Sequence, residues 1–432
     1  MAYAWQHRGV HIPFRQARES GYTGGMQEAA ADKNGGRGKG LVKVLALALG
    51  VLALALLCAE IGIRRYWPVG QTILQPDDDL LFAPIPNSAH IQFMSERVGG
   101  ERVIVRMDEN GFRGPGPDEA RERPRWMVFG DSFVMAENVS YEATFGARLA
   151  DRWGGRVEVL SSGVTGYGPD QILLRMERQI PVHKPDGVVL VLCSHNDLGD
   201  MMRNHLVALD ADGELQRKRA TVSPDEVKWF EQHMADAKQP GLVRLWKTHQ
   251  RLKRLGLPPK PDATLTADYL RAAREDYRAH AEQGESVAHG LLRDTYDADV
   301  AIYPKWPSSQ YKVRLLPKVL QKFRELCDAH GVELVCVVVP GGVDMDPSSW
   351  LTVDPKRYPS HRRDRLCSVF EEACAQAGIP ALNLFPHFDP LREQGLYVGA
   401  LDVHWNAVGM DLGAKTFVEF MANHNLDAEF ND

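Results

Sequence analysis

Four short segments carry the residue types of acyl transfer. In "WMVFGDSFVMAENV" (126–139) an apolar run, Trp126 to Phe129, stops at Gly130-Asp131-Ser132, a small, acidic, hydroxyl-bearing tripeptide. "SSGVTGYG" (161–168) offers glycine-rich backbone, "SHND" (194–197) the amide of Asn196, and "LDVHWN" (401–406) the Asp-x-His pair Asp402 and His404. A serine hydroxyl becomes a good nucleophile only when an adjacent base takes its proton, and histidine suits that work near neutral pH. A carboxylate on the far ring nitrogen fixes the tautomer and stabilises the imidazolium. Backbone N–H groups and an amide, aimed where an oxyanion develops, are worth about 2.7–4 kcal/mol per donor. Alone, each segment has a plainer reading. Ser132 caps a helix. Gly163, Gly166 and Gly168 mark a tight turn. Asn196 is a loop or cap residue, Asp402 and His404 a surface pair, and Asn406 the N-cap of the last helix. The joint order and placement of the segments favour acyl transfer.

The elements that must position these residues alternate. Trp126–Phe129 and Val157–Leu160 read as strands. "DGVVLVLCSHND" (186–197) and "VELVCVVVPGG" (332–342) contain continuous apolar runs, the mark of strands buried on both faces. "IPALNLF" (379–385) is the final strand. Helices are predicted over 141–153, from 168 to 179, and over 311–330, 361–377 and 407–421. Strand–helix alternation implies right-handed crossovers and a parallel three-layer α/β sheet. In such a sheet the carboxyl ends of the strands build the binding crevice, and the Ser, Gly and Asn segments each follow a strand.

With those segments in place, the chain resembles the SGNH hydrolases, also called the GDSL family of esterases, whose four blocks carry Ser, Gly, Asn and His. "FGDSF" matches the first block, with Phe133 where leucine is usual. "SSGVTGYGPDQ" matches the second, "SHNDL" the third and "LDVHWNAVGM" the fourth. "DENGFRG" (108–114) is similar to the lead-in of membrane-anchored members. Ser194 and Ser161 depart from the usual glycine and asparagine, and neither removes a catalytic atom. The resemblance covers roughly 125–197 and 312–422. It implies Ser132 as nucleophile, His404 as base and Asp402 as its partner. It also implies an oxyanion hole from Ser132, Gly163 and Asn196, and a five-stranded parallel sheet in flavodoxin-like order. The chain has no Gly-x-Ser-x-Gly elbow, which disfavours the ordinary α/β-hydrolase fold.

The rest of the chain adds an anchor and an insertion. "LVKVLALALGVLALALLCAEIGI" (41–63) would reach about 35 Å as a helix, enough to cross a bilayer. Residues 1–40 read as a flexible tail, with six Lys/Arg from Arg8 to Lys39 against three acids. This bias favours a cytoplasmic N-terminus and an extracytoplasmic body, and Met26 is an alternative start. The apolar run is long for a cleaved signal peptide and no small-x-small site follows it. Residues 64–120 read as a proline-bearing linker and a hairpin lead-in turning at Gly99-Gly100. Residues 121–425 read as the hydrolase-like domain, with a largely helical insertion at 198–310. The insertion opens with a hairpin turning at Asp212-Gly213, then a capping box, Ser223-Pro224-Asp225-Glu226, and helices over 224–236 and 266–283. Trp229, Trp246, Tyr269, Tyr277, Trp306 and Trp350 lie in or near insertions and read as core or lid packing before sugar stacking.

Composition sets limits. A formal net charge of −6 and no basic block in the body argue against nucleic acid as a partner. Six dispersed cysteines include no CxxC pair, no HExxH is present, and "GYGPDQ" lacks the lysine of a phosphate loop. No metal or cofactor is expected, and His195 reads as a packed loop histidine. The expected activity is hydrolysis of O-acyl, above all O-acetyl, esters on a cell-envelope carbohydrate. O-acetyl transfer by the same residues is the alternative, and a non-catalytic glycan-binding or assembly factor the second.

Overall fold

The computed structural model describes residues 35–93, 102–219, 224–254, 260–283, 295–399 and 402–426. It divides into two units, an N-terminal segment ending at Trp67 and a body beginning at Pro68. The first contains the Gly35–Tyr66 helix. Its Lys39–Tyr66 portion contains an 18-residue stretch of mean hydropathy 2.7 and is long and apolar enough to cross a membrane. The tail over 1–34, the Gly99-Gly100 turn and Ser223 of the capping box lie outside the described residues.

The body is organised by five parallel strands: β1 Arg125–Gly130, β2 Glu158–Gly163, β3 Gly187–Cys193, β4 Glu333–Val339 and β5 Ala381–Asn383. Their spatial order is β5-β4-β3-β1-β2, the flavodoxin-like order. Register is continuous from Arg125↔Glu158 to Gly130↔Gly163 and from Glu333↔Gly187 to Val339↔Cys193. The pleat divides the apolar runs between two cores. Met127, Phe129, Leu190, Leu192, Leu334 and Val338 face one, with the helices Pro169–His183, Pro307–His330 and Arg365–Gln376. Trp126, Val128, Val189, Val191, Val335 and Val337 face the other, with the helices Phe145–Arg152 and Ala407–Asn423. Both faces are covered, which is why these strands read as unbroken apolar runs.

Residues 68–93 and 102–120 are not a free linker. Phe82 and Phe112 are fully buried in the first core, and the Tyr167 hydroxyl donates to Phe82 O at 2.6 Å. The acidic run within it is engaged by Arg178, at 2.8 Å from both Asp77 and Asp79. The strands Ala89–Phe93 and Arg102–Arg106 pair antiparallel.

The insertion combines a short hairpin, Val207–Leu209 with Leu215–Arg217, and the helices Pro224–Ala237, Gly241–Arg254 and Leu265–Tyr277, the last continuing into a wider turn over Arg278–Gln283. A buried histidine pair ties it down. His280 Nδ1 donates to Met202 O at 3.1 Å and faces His205 Nδ1 at 2.8 Å, while Nε2 accepts from the Tyr311 hydroxyl at 3.0 Å. This network requires a neutral His280. Burial, then the neighbouring His205, push its pKa down to about 4. Above the ordinary value of 6.5 both folded and unfolded chains hold it neutral. Below it only the unfolded chain gains the proton, so stability falls as pH drops toward 4, by at most ~1.4 kcal/mol per pH unit. Urea midpoints measured at about pH 7.5 and pH 5 are expected to differ less in His280→Asn than in the wild type. Equal differences would count against the assignment.

Candidate active site

Ser132 begins a single helical turn, Ser132–Met135, directly after β1. The cap of that turn is Asp131, whose Oδ1 accepts from Phe133 N at 2.8 Å. Ser132 is therefore not the capping residue, and its hydroxyl is turned elsewhere. Two glycines let this turn press onto the sheet edge. A Cβ on Gly130 would lie 2.5 Å from Val134 Cγ2 and 2.9 Å from Val191 O. One on Gly163 would lie 2.5 Å from Met135 N.

The turn is held from below by Arg113, of the "DENGFRG" segment. Asp108 Oδ1 accepts from Asn110 N at 2.9 Å and Phe112 N at 2.6 Å, closing a tight loop. Arg113 N then donates to Ser161 O on β2 at 2.9 Å. Its buried guanidinium donates to the carbonyls of Met135 and Ala136, and to Val139 O at 2.6 Å. Burial lowers the Arg113 pKa to about 10, which leaves it cationic near neutral pH. The carbonyls ending the serine turn thus find a charged donor, an arrangement favoured at a helix C-terminus.

Asp402 and His404 lie on a short strand, Asp402–Trp405, paired antiparallel with Tyr397–Gly399. Residues two apart on a strand share a face. Accordingly His404 Nδ1 donates to Asp402 Oδ1, which also accepts His404 N at 3.0 Å. His404 Nε2 is thereby left as the acceptor, and it lies 2.7 Å from Ser132 Oγ. Trp405, on the opposite face, locks the two segments together. Its Nε1 donates to Phe133 O at 3.0 Å, and Asn138 Nδ2 donates to Trp405 O at 2.8 Å. Asn406 caps the following helix, accepting from Val408 N at 2.9 Å and Gly409 N at 3.1 Å.

Asn196 precedes the Asp197–Asn204 helix but makes no side-chain capping bond. Its Nδ2 donates to Asp200 Oδ2 at 2.7 Å, which leaves the second amide hydrogen for another acceptor. Asp200 is in turn held by Arg203. Asp197 accepts from Cys193 N at 2.9 Å. Burial, then the nearby Asp131 and Asp200, push its pKa well above the usual carboxylate range. Of the loop glycines, Gly163 closes β2 and is buried, whereas Gly166 is half-exposed with φ +82°. Thr165 Oγ1 donates to Glu137 Oε1 at 2.6 Å and ties this loop to the serine turn. His195 is fully buried, its ring 5.5 Å from that of Tyr296. Ser194 is accommodated facing Cys367, whose thiol donates to its hydroxyl at 3.3 Å. Among the described residues, no three His, Cys, Asp or Glu side chains cluster as metal ligands do.

The structure thus brings Ser132, His404 and Asp402 into one hydrogen-bonded line. Sequence reasoning missed Arg113, Asn138 and Trp405, which hold that line. The motif "DENGFRG" was the one local signal for the first, and nothing local signals the other two.

No family model and no curated protein matches the chain. Solved structures share a distant likeness. One described as TesA is 12% identical with a TM-score of 0.33, covering 69% of this chain and 98% of its own. A lipase/acylhydrolase from Enterococcus faecalis is 12% identical with a TM-score of 0.29, covering 70% and 96%. An acetyl xylan esterase is 11% identical with a TM-score of 0.33, covering 68% and 98%. Likeness at that level says nothing about chemistry, which has to be read from the side chains. On its own terms, the three-layer body with strand order β5-β4-β3-β1-β2 and a serine turn directly after β1 fits the SGNH hydrolase fold.

Proposed function

We propose that the protein is a serine esterase that forms an acyl-enzyme at Ser132. The observation that carries this reading is the line Ser132 Oγ to His404 Nε2 at 2.7 Å, with His404 Nδ1 on Asp402. In the first step Ser132 Oγ attacks the ester carbonyl as its proton passes to His404 Nε2. Asp402 holds the ring in the tautomer that accepts it and stabilises the imidazolium. The developing oxyanion is met by the N–H of Ser132, which as the first residue of a helical turn has no intrahelical partner. Asn196 Nδ2 and the Gly163–Gly166 backbone complete the hole. Collapse transfers the proton from His404 to the leaving alcohol. Water then repeats the sequence on the acyl-enzyme and releases the acid.

Gly163 was the donor expected within that backbone. Its missing side chain already has a steric reason in the contact with Met135, and Gly166 is the more accessible of the two. The substrate class proposed is an O-acyl carbohydrate at the outer face of the membrane that the N-terminal helix spans. Support comes from that helix, from the four motifs and from the site geometry.

Asn196→Ala tests the oxyanion assignment. It is expected to lower kcat for p-nitrophenyl acetate by about 10²–10³-fold with little change in KM, because the amide acts on the oxyanion and caps no helix. An unchanged kcat would remove Asn196 from the site. Adding an oligosaccharide acceptor and weighing the products separates transfer from hydrolysis. An acetylated oligosaccharide formed faster than free acetate would make the enzyme a transferase.

A further inference from the structure

The Gly241–Arg254 helix is built inside out. Inward it turns Gly241 and Arg244, the latter 3% exposed, with Thr248 half-buried. These pack on the first residues of the body: a side chain at Gly70 would lie 3.4 Å from Arg244 Cβ and 3.8 Å from Thr248 Oγ1. With its amide nitrogen turned to Ala89 O at 3.0 Å, Gln71 accepts from Arg244 Nη1 at 3.2 Å. Outward the helix turns Leu242, Val243, Leu245 and Trp246, exposed by 38%, 39%, 36% and 62%. A surface helix of a protein surrounded by water does the reverse, burying its apolar stripe and hydrating its charges. A contiguous apolar face of this kind marks an interaction surface.

Charge and chain length say what covers it. Besides the buried Arg244 and Lys247, which pairs with Asp236 at 3.2 Å, the helix sequence carries Arg251, Lys253 and Arg254 and no acidic residue, although the whole chain has net charge −6. An apolar face with tryptophan, on a helix rich in Lys and Arg, is the composition of helices that lie in a membrane interface. Gly70 follows Tyr66, the last residue of the apolar N-terminal helix, by four residues. Four residues span at most about 14 Å. Chain connectivity alone therefore keeps the element that Arg244 packs on close to where the N-terminal helix would leave a bilayer.

We propose that the Leu242, Val243, Leu245 and Trp246 face lies in the interface of the bilayer that the Lys39–Tyr66 helix spans. The inference rests on reading Lys39–Tyr66 as an anchor. The body then has a second attachment to the membrane.

The test uses the full chain carrying Trp67→Phe, reconstituted in phosphatidylcholine/phosphatidylglycerol vesicles, with or without bromine on the acyl chains near the headgroup. Bromine is expected to quench part of the tryptophan fluorescence, and adding Trp246→Phe is expected to abolish most of that quenching. Both proteins are expected to float with the vesicles, since the anchor is intact. Equal quenching with and without Trp246 overturns the interfacial helix while leaving the anchor standing. Should Trp246→Glu also turn an associating chain monomeric in detergent, the face belongs to a second copy instead. Failure of both proteins to float overturns the anchor reading and the inference with it.

Discussion

Ser132→Ala is expected to lower kcat/KM for p-nitrophenyl acetate by about 10⁴-fold or more and to leave the fold intact. The loss follows from the geometry. Ser132 Oγ is hydrogen-bonded to His404 Nε2, and in the proposed mechanism no acyl-enzyme forms without it. What remains, the Ser132 N–H, the Asn196 amide and an intact His404–Asp402 pair, can only assist attack by water. Stability is expected to change little, by roughly 0.5 kcal/mol. The cap of the turn is the Asp131 carboxylate and not the serine, so removing the hydroxyl orphans no buried donor in the helix. Steady-state rates and thermal unfolding of the two proteins check this together. Equal activity in both would place the esterase elsewhere or nowhere. A large fall in melting temperature would mean that the hydroxyl is structural after all.

Lys312→Met is expected to destabilise the body by about 3–5 kcal/mol. Lys312 is buried and donates to Asp297 at 2.7 Å and to Asp299 at 2.8 Å. Two carboxylates share one ammonium there. Burial raises the Asp297 pKa against the pull of Lys312, and Asp299 raises it further. Removing the ammonium leaves two buried carboxyl groups without the cation they share. The same Asp297 accepts Gly199 N at 3.2 Å, and its own N–H donates to His195 O at 2.9 Å, beside Asn196. The damage should therefore reach the loop that carries Asn196 as well as the melting point. Chemical denaturation measures it. Adding Asp297→Asn and Asp299→Asn to Lys312→Met is expected to recover much of the loss, since the buried charges disappear. A cost below ~1 kcal/mol in the single variant would show that the cluster is better hydrated than its burial implies.

The sheet was legible in the sequence for a specific reason. β1, β3 and β4 are covered on both faces, so each reads as an uninterrupted apolar run, and the chemistry-bearing segments after β1, β2 and β3 follow directly from strand direction. β5 is only three residues long and was marked by little more than its flanking proline and its place in the alternation. The strand carrying Asp402 and His404 was not anticipated, because its partner, Tyr397–Gly399, is equally short and lies outside the main sheet. The supports of the site were harder still. Arg113 acts on carbonyls 22 to 26 residues away, and Trp405 on a carbonyl 272 residues away. No local pattern records such bonds. Composition misled at residues 64–88, where prolines suggest a tether but Arg178 and a buried Phe82 bind residues 77–82 to the body. The Gly241–Arg254 helix escaped for the opposite reason. Leu242, Val243, Leu245 and Trp246 face outward, and periodicity alone does not say which side of a helix is inside.

The central claim is that Ser132 is a nucleophile activated by His404. Treating the full chain with a fluorophosphonate, digesting it and locating the adduct by mass spectrometry tests this most directly. The expected result is a single stoichiometric adduct on Ser132, absent from Ser132→Ala and formed far more slowly in His404→Ala. A chain that hydrolyses p-nitrophenyl acetate while Ser132 stays unmodified, or is modified equally fast without His404, would contradict it.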